Sequence, residues 1–309
     1  MPSYPKEKLP EAVKEICRIE YGMDVEATVV GSTLGIFYPM EGLLDVNFGI
    51  SKDAWDKVSN LILIASRVVL STDADISFYC VITQDARLPE LQMIIIKYVD
   101  DIKRGMYQDI SRDESFKRTL FSINPTPQAT KERSIEKVFD KLGLEPGTRE
   151  NIMNEFFRST PTKLSDIGYW RGNFYLKEII KQEFLVAQIA NRIKIDFRQD
   201  KELEELYKFR SADGSYVDEK DKKHFLIQFK LFDQKESDGK INMKERKIYE
   251  IMHIASEVVY GYNFKDFDYL EMQDLLENVT LQADAADVYD FNKRHLSVKD
   301  VVRASGKYF

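Results

Sequence analysis

Residues Lys57 to Val69, KVSNLILIASRVV, return 190 positions later as Lys247 to Val259, KIYEIMHIASEVV. Six of these thirteen positions are identical, and Val58/Ile248, Leu61/Ile251 and Ile62/Met252 keep their character. Tyr79 matches Tyr269 at the same offset, and Ile36-Phe37 aligns with Leu226-Ile227. A fixed offset across a strand, a helix and a second strand is how a repeated supersecondary unit looks in sequence. It restricts the chain to folds that can be built twice. The stripe common to both copies is then expected to pack a core and not to form a cofactor site.

The local patterns fill in the unit. Leu9 to Tyr21 spaces Leu9, Val13, Ile16 and Cys17 for a helix, and Asp24 to Pro39 reads as a hairpin broken at Gly31-Ser32. Ser51 to Leu70 carries a helical stripe, followed by strands at Ile76 to Ile82 and Leu91 to Tyr98 with a loop from Thr83 to Glu90. Asn124-Pro-Thr-Pro-Gln-Ala-Thr reads as a linker, with short helices over Ser134 to Leu142 and Arg149 to Phe157 and an amphipathic one over Phe174 to Ile195. Ala212 to Lys223 is polar and loop-like, a strand follows over 224–232, and Met243 to Tyr260 is helical. The expected architecture is α+β: two duplicated lobes, each an antiparallel sheet with helices on one face. They span 1–123 and 201–309, joined by a helical connector at 124–200.

Charge and chain length narrow the function. With 45 Lys+Arg against 52 Asp+Glu the net charge is -7, which opposes general nucleic-acid binding. The apolar run Leu61 to Leu70 is far shorter than the ~20 residues that span a bilayer. Met1-Pro-Ser-Tyr-Pro-Lys-Glu-Lys is too polar for a secretory leader. The compartment is therefore the cytoplasm, or the periplasm and envelope if a leader has been removed. Cys17 and Cys80 read as buried thiols, with a single bridge between them left open.

Two motifs invite metal chemistry. The stretch after Phe229 resembles an EF-hand calcium loop, with Glu236, Asp238, Asn242 and Glu245 at ligand positions, but Gln234 stands where the first acid belongs. Asn242-Met-Lys-Glu245 is equally a helix capping box. Tyr98-Val-Asp-Asp101 looks like the paired-carboxylate box of reverse transcriptases, with Asp45 as a third acid. Its alternative is a helix start capped by Asp100. No zinc spacing, nucleophile elbow or phosphate loop is present. His224, His253 and His295 stand apart, so no catalytic residue and no cofactor is expected.

Aromatics supply the remaining candidates. Tyr169, Trp170, Arg171, Phe174 and Tyr175 form one cluster, and Tyr262, Phe264 and Phe267 another. Aromatics mixed with Arg and Asn suit a protein-partner surface, and equally the packing between lobes.

The stretch Val30-Gly-Ser-Thr-Leu-Gly-Ile-Phe-Tyr-Pro39, following a helix that ends at Glu20-Tyr21, resembles a G-x-T-L-x-x-Y-x-P strand. Such a strand occurs in uncharacterised bacterial envelope proteins of lipoprotein type. The resemblance covers about the first hundred residues and departs from the pattern at the doubled aromatic Phe37-Tyr38. It implies an address and no activity, with membrane association only through an upstream lipid. The expected function is a non-catalytic interaction or assembly protein that binds a protein partner or itself. The rivals are a carboxylate-based metal-dependent hydrolase or transferase, and a calcium module at 234–245.

Overall fold

Two like-connected sheets organise the chain. The computed structural model describes residues 4–47, 49–157, 161–219, 222–234, 242–294 and 296–304, and divides into two compact units, Met1–Ile179 and Ile180–Phe309. Both are α+β. Residues 124–200, expected as a helical connector, are shared out: 124–179 belong to the first unit and 180–200 to the second.

In the first unit, helix α1 (Leu9–Tyr21) leads into the hairpin β1 (Glu26–Val30) and β2 (Thr33–Met40). Gly31 takes the left-handed conformation at the turn, φ 58°, that a two-residue hairpin connection needs. Helix α2 (Lys52–Leu70) carries the chain across to β3 (Phe78–Asp85), which pairs parallel with β2. Strand β4 (Leu88–Tyr98) folds back antiparallel on β3. Then follow α3 (Val99–Met106), α4 (Arg112–Lys117) and β5 (Leu120–Pro125), which closes the order β1-β2-β3-β4-β5. The segment expected as a linker is therefore the end of β5 and the start of α5 (Pro127–Leu142), where Pro127 occupies the first turn and lacks only an amide with no helical partner. Helix α6 (Pro146–Phe156) and the hairpin β6 (Gly168–Trp170) and β7 (Asn173–Tyr175) complete the unit.

Helix α2 begins where Ser51 Oγ accepts the Ala54 amide at 3.2 Å, and its stripe Val58, Leu61, Ile64, Ala65 and Val68 is buried on the inner face of the sheet with Leu34, Ile36, Tyr79 and Val81. Each such aliphatic side chain contributes about 1.5–3 kcal/mol on burial. Alternate residues of the same strands, Phe37, Phe78, Cys80 and Ile82, point to the other face and are buried too. Cys17 lies in the inner core and Cys80 on the outer face, both free, which rules out a bridge between them.

The second unit repeats the connection. Helices α7 (Lys181–Gln199) and α8 (Lys201–Leu206) lead into the hairpin β8 (Tyr207–Glu219) and β9 (Lys222–Asp233). Helix α9 (Met243–Gly261) crosses to β10 (Tyr269–Asp274), parallel with β9, and β11 (Val279–Asp284) folds back on it. Helices α10 (Ala285–Arg294) and α11 (Val298–Val301) precede β12 (Val302–Ala304), giving the order β12-β11-β10-β9-β8. Both crossover helices are 19 residues long. In α9, Ile248, Ile251, Ala255, Val258 and Val259 are buried at the positions matching the α2 stripe.

Two expectations are corrected here. Ala212 to Glu219 and Lys222-Lys223 are paired strand and not loop, and Phe174 to Ile180 is not helical, with α7 starting only at Lys181. Gly214 marks why the hairpin holds: a Cβ there would sit 2.5 Å from the Val186 carbonyl oxygen, so α7 lies directly on the strand backbone.

Candidate interaction surface

The segment from Tyr169 to Tyr175 is consumed inside the first unit. Arg171 and Gly172, both at positive φ, make the turn between β6 and β7. The Tyr169 ring stacks on Phe37 with centroids 3.7 Å apart and meets Phe174 edge-on at 5.0 Å. The Tyr169 amide donates to Gln92 Oε1 at 3.1 Å. Tyr175, Leu176 and Ile179 are buried, and the Ile179 amide donates to Thr33 Oγ1 at 2.9 Å. Glu178 accepts from both the amide (3.0 Å) and hydroxyl (2.9 Å) of Ser32. Trp170 and Arg171 both donate to Glu132 on α5. This stretch is thus a strap over the outer face of the first sheet, with Tyr169 packed on Phe37, Tyr175 buried, and Trp170 and Arg171 tied to Glu132.

The second cluster is interior as well. Tyr262, Phe264 and Phe267 are buried, with Phe267 stacked on Phe225 at 4.8 Å and Phe264 on Phe225 at 5.8 Å. No comparable strap lies over the outer face of the second sheet among the described residues. His224, Leu226, Gln228, Tyr269, Glu271 and Gln273 there are all half-buried, with His224 stacked on Tyr269 at 4.5 Å and Gln228 donating to Gln273 at 2.7 Å.

The ionisable groups resolve into local ties. Asp101 is buried against Arg118 at 3.0 Å, and Arg118 also holds Glu114 at 2.7 Å. Asp100 accepts from the Tyr98 hydroxyl at 2.9 Å and pairs with Lys103 at 3.0 Å. It does not cap the helix, because α3 already starts at Val99 with Tyr98 extended at its N-cap. Both acids stand in the first turn, where the helix dipole favours them. Asp45 folds its own loop, accepting from the amides of Asn47 and Gly49.

Asp85, buried at the end of β3, is held by Arg87 at 3.1 Å, and the Arg87 hydrogen bonds pull its pKa down to about 2. Asp274 is buried at the end of β10, where Lys247 Nζ lies 3.5 Å away and also donates to the Leu231 carbonyl at 3.1 Å. His253 shares a hydrogen bond with Asn292 at 2.6 Å and lies 3.5 Å from Glu257. Among the described residues no three His, Cys, Asp or Glu gather as a metal site.

Of the calcium-loop candidates, Glu236 and Asp238 lie outside the described residues, as does His295. Asn242 Oδ1 accepts the Glu245 amide at 3.2 Å and Glu245 pairs with Lys299 at 2.8 Å, so these two cap and anchor α9. What precedes them is strand β9, where a calcium-binding hand has a helix.

One surface was missed. Helix α5 buries Gln128, Ala129, Glu132 and Phe139, while α6 buries Met153 alone. Val138 and Leu142 on α5 are 50% and 65% exposed, and Ile152 and Phe156 on α6 are 41% and 44% exposed. Each pair is four residues apart, one helical turn, so each helix shows an apolar stripe to solvent. The sequence carries only their i, i+4 spacing; the stripes sit about a quarter-turn from the core-facing positions, which the structure alone identifies.

No family model matches the chain, and no curated protein or solved structure matches it to a significant degree. Among the described residues no helix is long and apolar enough to cross a membrane.

Proposed function

We propose that this chain is a non-catalytic interaction or assembly protein, built from two copies of one α+β unit and working at the bacterial envelope. The observation that carries the reading is helix α6, which buries Met153 alone, with Ile152 41% and Phe156 44% exposed. A helix with so little buried surface gains little stability by itself, since helices of this length depend on packing an apolar face. Covering its stripe with a partner supplies that packing.

The duplicated unit is supported by the shared order of strands, helices and pairings, and by the carboxylates Asp85 and Asp274, each the buried last residue of its third strand. These strands are equivalent at an offset of 189, since at 190 Tyr79 and Ile36 lie in the core while Tyr269 and Leu226 lie half-buried on the opposite face. The envelope address rests on the resemblance of Val30 to Pro39, which forms the hairpin of β1 and β2. Size-exclusion chromatography with light scattering, together with affinity capture from native lysate, tests the role. Association with itself or a defined partner is expected. A strictly monomeric protein that captures nothing removes the reading. Fractionation of the native protein away from the envelope removes the address alone.

A further inference from the structure

We infer that helix α5 docks the chain on an anionic lipid surface; this rests on the envelope reading above and names what the chain touches there. At 100° per residue, Lys131, Ile135, Val138 and Leu142 fall within about 60° of one another on one side of the helix. Val138 and Leu142 are 50% and 65% exposed, Ile135 is half-buried in line with them, and Lys131 is exposed at the N-terminal end of the row. Lys137 and Lys141, both exposed, border the row along one edge. Among the described residues none of the three lysines has an ion pair or a hydrogen-bonded partner. The acids of α5 lie elsewhere. Glu132 is buried and takes Trp170 and Arg171, while Glu136 and Asp140 line the cleft toward α6, where Asp140 holds Arg149 at 2.6 Å. Arg133 is tied to Glu90.

An exposed aliphatic side chain on its own is ordinary. A row of them beside three unpaired cations selects a partner, and its chemistry favours lipid over protein. The centres of protein interfaces are enriched in Tyr, Trp and Arg and depleted in Lys. This side of α5 has no aromatic and three lysines. At a bilayer surface the same residues fit: aliphatic groups enter the headgroup boundary, lysine stems run along it, and the ammonium groups meet lipid phosphates. The net charge of -7 opposes such contact for the molecule as a whole. The field of a membrane surface, however, decays over about 8 Å in physiological salt, so the helix lying nearest decides the sign. Two exposed aliphatic groups bury little, so the lysines supply most of the attraction and the contact is reversible.

Co-sedimentation of the full chain with vesicles tests the contact. The wild type is expected to pellet with mixed phosphatidylcholine and phosphatidylglycerol vesicles, to ignore pure phosphatidylcholine vesicles, and to dissociate as salt rises. Lys131→Gln/Lys137→Gln/Lys141→Gln is expected to weaken binding roughly a hundredfold, each lysine at an anionic surface being worth about fivefold. Val138→Ser/Leu142→Ser is expected to weaken it about tenfold with the charge unchanged. Lys208→Gln/Lys222→Gln/Lys230→Gln removes the same charge from exposed positions of the second unit and is expected to bind as wild type. Circular dichroism melting checks that every variant keeps the fold. A wild type that ignores the phosphatidylglycerol vesicles, or pellets equally with both kinds, overturns the inference, and so do α5 variants that bind undiminished. If vesicles are ignored and a protein captured from lysate is lost from Val138→Ser/Leu142→Ser, the stripe is a protein contact and the lipid surface is wrong. Fractionation of the native protein judges the envelope reading separately. Recovery with the envelope while vesicles are ignored keeps that address through another contact; recovery away from it while vesicles are bound removes the address and leaves the α5 contact standing.

Discussion

At the scale of the residue, the buried carboxylates do the most. Asp85 is buried, yet it stays charged because Arg87, and the amides of Arg87 and Leu44, satisfy its oxygens. Its pKa is drawn from the ordinary value near 3.8 down to about 2. A carboxylate bound this way stabilises the fold above its unfolded value and loses that contribution as pH falls between the two. Replacing Asp85 with Asn is expected to cost about 1–2 kcal/mol at neutral pH, discounted for the exposure of Arg87, with the gap to wild type closing between pH 4 and 2. Urea titrations across that range measure it. Lys247 is the harsher case: it is buried, and its ammonium answers both Asp274 and the Leu231 carbonyl. Lys247→Ala is expected to destabilise the second unit by about 3–5 kcal/mol, since it removes a buried ammonium shared by Asp233, Asp274 and the Leu231 carbonyl, and denaturant unfolding will show it. Neither role was legible in the sequence, where Asp85 and Lys247 look like ordinary surface charges; only the fold tells which charges are enclosed.

At the scale of the element, periodicity found what packs on one side. Helices α1, α2 and α9 and the hairpin at Gly31-Ser32 lie where their stripes and turn residues put them. The failures have physical causes. The part of β8 from Ala212 onward reads as loop because its residues are half-buried or exposed, so its apolar alternation is weak and Asp213-Gly214 mimics a turn. In the structure Gly214 is there to let α7 approach, and Gly214→Ala is expected to lower the melting temperature by several degrees, a cost of about 1–3 kcal/mol, because the obstruction is backbone. The strap at 169–179 was read as surface plus helix because aromatic content alone does not say which side of a sheet is bare. It is fixed to the β1–β2 turn through Glu178. Glu178→Ala is expected to raise amide exchange at Ser32 and Ile179 with little change in global stability, which hydrogen-exchange measurements resolve. The α5–α6 surface escaped for the opposite reason: its stripes look like core stripes until the true core-facing positions are known.

At the scale of the molecule, the 190-residue offset pointed to two helices that occupy equivalent places in two like-connected sheets, each with its own buried core. The boundary between the units was not legible, because β5 and the strap complete the first unit with segments rich in Pro and aromatics that read as a connector. Since each unit buries its own apolar residues, residues 1–179 and 180–309 expressed separately are expected to unfold cooperatively by calorimetry; a fragment without a transition would show that the units depend on each other.

The middle of each sheet also dictates an order of construction. A two-stranded ribbon turned by a few residues closes quickly, but strands running the same way can meet only after the intervening chain has coiled and swung over. In both sheets that seam falls between the second and third strands in chain order, spanned by a 19-residue helix. Two prefabricated ribbons therefore wait on one slow suture. Until it closes, the oily side of α2 or α9 has nowhere to rest, and a nascent chain is most prone to clump at that moment.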